Sequence, residues 1–321
     1  MKTELTMTPT AEGAKEKESM AARIHRKYKR FYGFYIMLFL PVLCIIIFKY
    51  LPMLGNILAF RRYSFKSPLF GVEWVGFEYF RQFLYSQDFW IRFKNTIVLS
   101  VSTLLFTFPI PIIFALLLNE ITHVRIKKLI QTISYLPHFI SVVVLVGMVF
   151  QMFSVNGGVA NNLIKSMGGQ PINFLNLPQW FRPLYIGSEL WQHMGWNAII
   201  FIAALSGVDV QLYEAAMIDG ANRWQQTIHI TLPSLATVII ISLILSVGGI
   251  LGVGYEKVLL MMNPLNSDTA DVISTYVYKI GIVNSNYSFS TAMDLFNAII
   301  GLILVTSANY FSKKVSDISL W

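Results

Sequence analysis

The sequence predicts an all-α membrane protein that crosses the bilayer six times and keeps both termini on the cytoplasmic side. Composition is the first reason: of 321 residues, 55% are hydrophobic and only 13% charged, with a mean hydropathy of +0.56. Soluble domains carry about a quarter of their residues as charges. The second reason is patterning. A helical span needs about 20 mainly apolar residues, and stretches at 32–51, 94–118, 132–153, 184–205, 235–255 and 292–311 qualify. The third is where the cations sit. Arg23, Arg26, Lys27, Lys29 and Arg30 precede the first run, a placement that reads as topology and headgroup contact rather than nucleic-acid binding, despite a net charge of +8.

Taken in order, residues 1–22 are polar, mixed in charge and free of aromatics, the composition of a disordered cytoplasmic tail. Residues 23–321 form one six-helix transmembrane domain. The first run lacks a small-residue cleavage site and reads as an uncleaved anchor, not a signal peptide. The second and third runs hold no formal charge between Asn95 and Leu118 or between Thr132 and Phe153. Pro109 and Pro111 each remove a backbone donor in mid-span and predict a kink there; Pro41 and Pro137 do so near other spans.

The positive-inside rule keeps the first cluster in the cytoplasm. Six spans then put 119–131, with Arg125, Lys127 and Lys128, and the C-terminal Lys313 and Lys314 on the same side. The outer segment 52–93 alternates aromatic and basic residues and predicts an interfacial layer leading into the second span, touching an outer protein partner. Segments 154–183 and 256–291 predict outer loops, with a short helix in the first and another near 271–280. The lone Cys44 excludes any disulfide within the chain and reads as packing.

The loop 206–234 is the most specific stretch. Glu214, Ala215, Ala216, Asp219, Gly220 and Ala221 are followed by Arg223, then by Ile230, Leu232 and Pro233. Alanines favour helix, Gly220 permits a positive φ that turns the chain, and Asn222 suits the cap of a second helix. Pro233 marks the boundary before the fifth span. A helix–turn–helix across the cytoplasmic face follows, with Glu214, Asp219 and Arg223 free for polar contacts. The alternative is an amphipathic helix on the membrane surface, although such helices favour several Lys or Arg residues and this one has a single Arg.

These residues resemble the EAA loop of ABC-importer permeases, E-A-A-x-x-D-G-A with a downstream I-x-L-P. The resemblance extends from about Lys29 to Trp321 and includes Phe48-Lys49-Tyr50-Leu51-Pro52, Leu117-Leu118-Asn119-Glu120, residues 131–141 and the terminal Ser319-Leu320-Trp321. It is similar to the branch that takes up oligosaccharides and polysaccharide fragments. It implies the type I importer fold, a second homologous permease subunit, two ATPase subunits beneath, and an extracytoplasmic solute-binding protein, in the cytoplasmic membrane of a bacterium. It also makes Glu214, Ala215, Ala216, Asp219, Gly220, Ala221, Arg223, Leu232 and Pro233 the ATPase-coupling surface. No G-x-x-x-x-G-K-[ST] occurs, so ATP and Mg belong to the partner ATPase and this chain binds no cofactor. No H-E-x-x-H, G-x-S-x-G or metal-spaced His/Cys set is present, and the five histidines are scattered, His138 reading as structural.

Saccharides are held by aromatic faces and hydrogen-bonding groups, which are costly in lipid unless they face a cavity. Glu189, His193, Trp196 and Asn197 lie three or four residues apart on one helical face. That stripe lines a transport path or anchors the helix at the headgroups. Tyr255, Lys257 and Asn297 are further pathway candidates. Lys257 would draw the carboxylates of an acidic sugar, though it also reads as a plain surface cation. The sugar itself, neutral or uronate, is left open. An ion-coupled secondary transporter is the competing reading, and it requires paired charges inside the membrane.

Overall fold

The structure is a computed structural model that describes residues 20–67, 70–252, 254–316 and 318–320, with side chains from Phe31 onward. The expected tail lies, for residues 1–19, outside the described residues. Two compact units are distinguished, divided between Asn56 and Ile57. The first is dominated by α1 (Met20–Ile45), which passes through a π-turn at Ile46–Tyr50 into a short turn at Leu51–Met53. Its side chains from Phe31 to Leu54 are all exposed. An apolar helix without a polar face is stable in that state only in lipid or against another protein.

The second unit opens on a hairpin, β1 (Arg61–Arg62) against β2 (Glu73–Trp74), followed by α2 (Glu78–Leu84). The aromatics of 52–93 form a packed layer: Phe60 stacks on Trp74 and Phe80, and Phe83 and Phe89 meet Phe296 at 5.4 and 5.7 Å. Ser288 accepts from the Tyr63 amide and donates to the Arg61 carbonyl, tying the hairpin to the last helix.

Next come α3 (Gln87–Thr107) and α4 (Pro109–Asn119), which join at Phe108. Pro109 sits at the first turn of α4, where a missing N–H costs little. After α5 (Val124–Tyr135) a 3₁₀ turn, Leu136–Phe139, leads to α6 (Val142–Phe153). The third expected span is therefore not one straight helix. Its two halves bend by 102°, because Pro137 withholds a backbone donor and Ser141 starts a new helix by accepting from the Val144 amide.

Beyond α7 (Val159–Ser166), α8 (Pro178–Leu205) runs 28 residues, roughly 42 Å at the helical rise, and is the hub of the unit. It packs against α3, α4, α5 and α11 (Leu232–Gly248). One core joins Ile112, Ala115, Ala198, Phe201, Leu205 and Leu235. A second joins Leu99, Val146, Phe181, Tyr185 and Val258. Between α8 and α11 lie α9 (Val210–Ile218) and α10 (Arg223–Gln226).

The fifth span also differs from expectation. Helix continues from Arg223 to Gly248, because a π-turn at Thr227–Thr231 carries it through Pro233, which falls in the first turn of α11. It ends seven residues short of 255, in the glycine-rich stretch around Gly249, Gly252 and Gly254. Then follow α12 (Tyr255–Met261), α13 (Ile273–Tyr278) and α14 (Tyr287–Ser316), which begins five residues before the expected 292. Among the described residues, four helices are long and apolar enough to cross a membrane, and two bent pairs qualify if each is one span.

Candidate functional site

Two sites take shape on the hub helix α8. The first is a cavity of roughly 660 Å³ between α3, α4, α8, α11 and the glycine-rich segment after α11. The sequence places hydroxyls on its wall at helical spacing: Ser100, Thr103 and Thr107 from α3, and Ser242 and Ser246 from α11. Helix α8 contributes Tyr185, Glu189, Trp196 and Asn197. Gly249, Gly252 and Gly254 line the rest of the wall.

Of the seven residues expected on the pathway, Glu189, Trp196 and Asn197 line this cavity. His193 stands beside it, its Nε2 3.4 Å from Glu189 Oε1. Tyr255 is half-exposed and stacks on Tyr278 with centroids 5.7 Å apart. Asn297 donates to the Leu251 carbonyl at 3.5 Å, supporting the segment behind the wall.

Lys257 corrects the surface-cation reading. It is only 4% exposed, and its ammonium lies 2.7 Å from Glu189 Oε2 and 3.3 Å from the Tyr185 carbonyl. It also sits 4.7 Å from the centre of the Tyr185 ring, a cation–π arrangement. The helical stripe on α8 was readable from spacing. Its partner on α12, some seventy residues away, was not.

His138 is the second residue whose surroundings spacing did not reveal. It lies in the bend between α5 and α6, stacked on Trp196 at 4.2 Å with the planes 3° apart. Its Nδ1 meets His193 Nδ1 at 2.9 Å. Two N–H groups cannot face each other, so one nitrogen donates and the other accepts. A chain His138–His193–Glu189–Lys257 thus joins the bend to α8 and α12. Among the described residues no group of three or more His, Cys, Asp or Glu could hold a metal ion.

The second site is the turn between α9 and α11. Asp209 caps α9, its carboxylate accepting from the Gln211 amide at 2.9 Å. The helix closes in a Schellman motif: Gly220 N–H donates to Met217 O at 3.1 Å, and Ala221 N–H to Ala216 O at 2.8 Å. That geometry needs a residue at φ +79°, which Gly220 supplies. Asn222 and Gln225 then form a capping box at 2.9 and 2.8 Å, of the kind worth about 1 kcal/mol.

Glu214, Ala215, Asp219, Gly220, Arg223, Leu232 and Pro233 are exposed, while Ala216 and Ala221 are half-buried. Among apolar neighbours, Ile218 is 88% and Trp224 71% exposed. Two ties hold the turn to the bundle. Tyr213 OH and Thr231 Oγ1 share a hydrogen bond of 2.9 Å, and Arg223 meets Glu120 at 2.7 Å. Caps and turn were legible in the sequence; Glu120 as partner was not.

Comparison with known proteins places this geometry. Residues 92–317 match the family described as binding-protein-dependent transport system inner membrane component. The chain is 45% identical over 293 residues to Protein LplB of Bacillus subtilis (strain 168), covering 91% of this chain and 92% of that one. It is 43% identical over 303 residues to the polygalacturonan/rhamnogalacturonan transport system permease protein YteP of the same organism, covering 94% and 93%. A solved chain from a bacterial ABC transporter involved in the import of the acidic polysaccharide alginate superposes with a TM-score of 0.84. It shares 40% identity, over 92% of this chain and 99% of that one. A chain from a bacterial alginate ABC transporter in complex with an alginate pentasaccharide-bound periplasmic protein gives 0.84 and 38%, over 93% and 100%. With this architecture, the fold is that of the type I ABC importer permeases. The chain belongs to the family of inner-membrane permeases of binding-protein-dependent transport systems.

Proposed function

We propose that this permease moves oligosaccharides or polysaccharide fragments into a bacterial cell by alternating access, through the cavity on α8 and driven by ATPase subunits docked at the 214–233 turn. The cavity wall carries the reading. It sets the indole of Trp196 beside the Asn197 amide and a set of Ser and Thr hydroxyls. Aromatic faces with neutral hydrogen-bonding groups suit a polyhydroxylated ring better than a bare ion or a lipid tail. Relatives named for polygalacturonan, rhamnogalacturonan and alginate support the same cargo class.

In this reading a second homologous permease completes the path and two ATPase subunits bind ATP and Mg. A solute-binding protein delivers the saccharide from outside. The turn, the N-terminus and the C-terminus face the cytoplasm. ATP-driven closure of the ATPases pushes on the exposed, rigidly capped turn, and α9 and α11 carry that motion to the helices around the cavity.

The Glu189–Lys257 pair, with its ammonium buried, is the kind of intramembrane charge pair an ion-coupled carrier uses, so the energy source is tested directly. Tagged permease extracted in mild detergent should bring down an ATPase. Uptake should stop on ATP depletion and continue when the proton gradient is collapsed. Glu214→Lys should insert normally yet lose substrate-stimulated ATP hydrolysis. Uptake that follows the ion gradient with no ATPase attached would overturn the proposal, and unchanged stimulated hydrolysis in Glu214→Lys would remove the turn from it.

A further inference from the structure

Among the described residues lining the cavity, Glu189 is the one with a formal charge. Left alone, that carboxylate would repel any anionic saccharide and attract cations. It is not alone: Oε2 is 2.7 Å from the Lys257 ammonium, which lies behind the wall and does not line the cavity. Lys257 has no second carboxylate partner among the described residues; its other contacts are the Tyr185 carbonyl and ring. On the remaining side, His193 Nε2 faces Glu189 Oε1 at 3.4 Å and His138 caps His193. Helix α12 packs against α8, which brings Lys257 to Glu189.

From this we infer that Lys257 sets the cavity's selectivity between acidic and neutral saccharides by cancelling the charge of Glu189 from behind, without touching the substrate. This deepens, and rests on, the reading that saccharide passes through this cavity. The pair holds the wall at zero formal charge, so a uronate ring enters without repulsion and Glu189 still accepts from sugar hydroxyls. Removing Lys257 exposes a bare carboxylate to the substrate. A like charge within roughly 7 Å, at an effective dielectric of about 20, shifts an equilibrium by more than tenfold. Removing Glu189 leaves an uncompensated cation and favours the acidic substrate instead.

The opposite signs separate this role from a structural one, because a lesion in packing would slow both substrates in both variants. The test uses the assembled transporter with its binding protein in proteoliposomes. It measures uptake of a uronate oligosaccharide and of the same oligosaccharide with its carboxyls reduced to alcohols, per inserted permease. Lys257→Met should raise the KM for the acidic saccharide at least tenfold over the neutral one. Glu189→Gln should move the acidic-to-neutral ratio the other way, and Glu189→Gln with Lys257→Met should return it to within about threefold of wild type. Should wild type carry only the acidic saccharide, the two single variants must still shift its KM in opposite directions; wild type that carries only the neutral one overturns the inference. Should neither single variant insert, the neutral double variant must keep the wild-type ratio, and a changed ratio there overturns the inference. Equal shifts for both saccharides, or the same direction in both single variants, also overturn it. Wild type that carries neither saccharide removes the transport reading itself.

Discussion

Gly195 of α8 lies against the backbone of Ser134 in α5 so closely that a β-carbon on it would sit well inside van der Waals contact with the Ser134 carbonyl oxygen. This contact lets the two helices cross at the level of His193 and Trp196, and so brings His138 in the following turn within reach of both. Gly195→Ala should therefore force the helices apart, at a cost of about 1–3 kcal/mol for overpacking. Thermal unfolding in detergent should drop by several degrees, with uptake lost. A variant with unchanged melting would mean the crossing can relax.

Gly220 presents a different case, because nothing lies within 4 Å of where its β-carbon would be. Only the positive φ resists substitution. Gly220→Asn should be tolerated, since Asn visits the left-handed region, whereas Gly220→Val should cost about 1–2 kcal/mol and misplace the turn. The check is substrate-stimulated ATP hydrolysis in the two variants side by side. Equal activity would show that the turn is not held in this conformation when working.

The Arg223–Glu120 pair is exposed on both partners, at 74% and 45% of the side chain. Such pairs contribute about 0–1 kcal/mol. Glu120→Ala should thus leave the melting temperature nearly unchanged while loosening the turn from the end of α4. Hydrogen exchange over 219–226 should rise, and stimulated ATP hydrolysis should fall by a few-fold at moderate salt.

Asp271 is the centre of a network between α3 and α13. Its carboxylate takes Arg92 Nε at 2.9 Å, Thr275 Oγ1 at 2.8 Å and Lys279 at 3.3 Å, and its carbonyl takes the Asn95 amide. Arg92 also stands 4.3 Å from the centre of the Tyr276 ring, whose hydroxyl is held above its ordinary pKa, chiefly by burial. Asp271→Ala removes the shared partner from a nearly buried site, and loss of one member of a buried pair costs about 3–5 kcal/mol. Expression should fall and proteolysis near 263–286 should rise, while the pull-down of ATPase by any surviving protein persists. Wild-type stability in that variant would show the network to be redundant.

Legibility in the sequence followed the range of the interaction. The caps and turn at 209–225 rest on contacts a few residues apart, and residue type alone specified Gly220 and Asn222. The stripe Glu189, His193, Trp196 and Asn197 was likewise readable, because 3.6 residues per turn decides who shares a face. The hydroxyls at 100, 103 and 107 follow the same rule, and their spacing within an apolar run was a signal available to be used. The bend at 136–141 was only hinted at by Pro137; its 102° depends on what the two halves pack against.

By itself the sequence determined that this chain is an apolar, helical membrane protein with a specifically capped polar turn, since composition, periodicity and capping act locally. Tertiary structure alone decided the rest. It buried Lys257 and gave it Glu189, stacked His138 on Trp196, and set Arg223 against Glu120. Each pair joins residues separated by 58 to 103 positions, so no local preference encodes it. A charge is stable inside such a bundle only where packing delivers its partner.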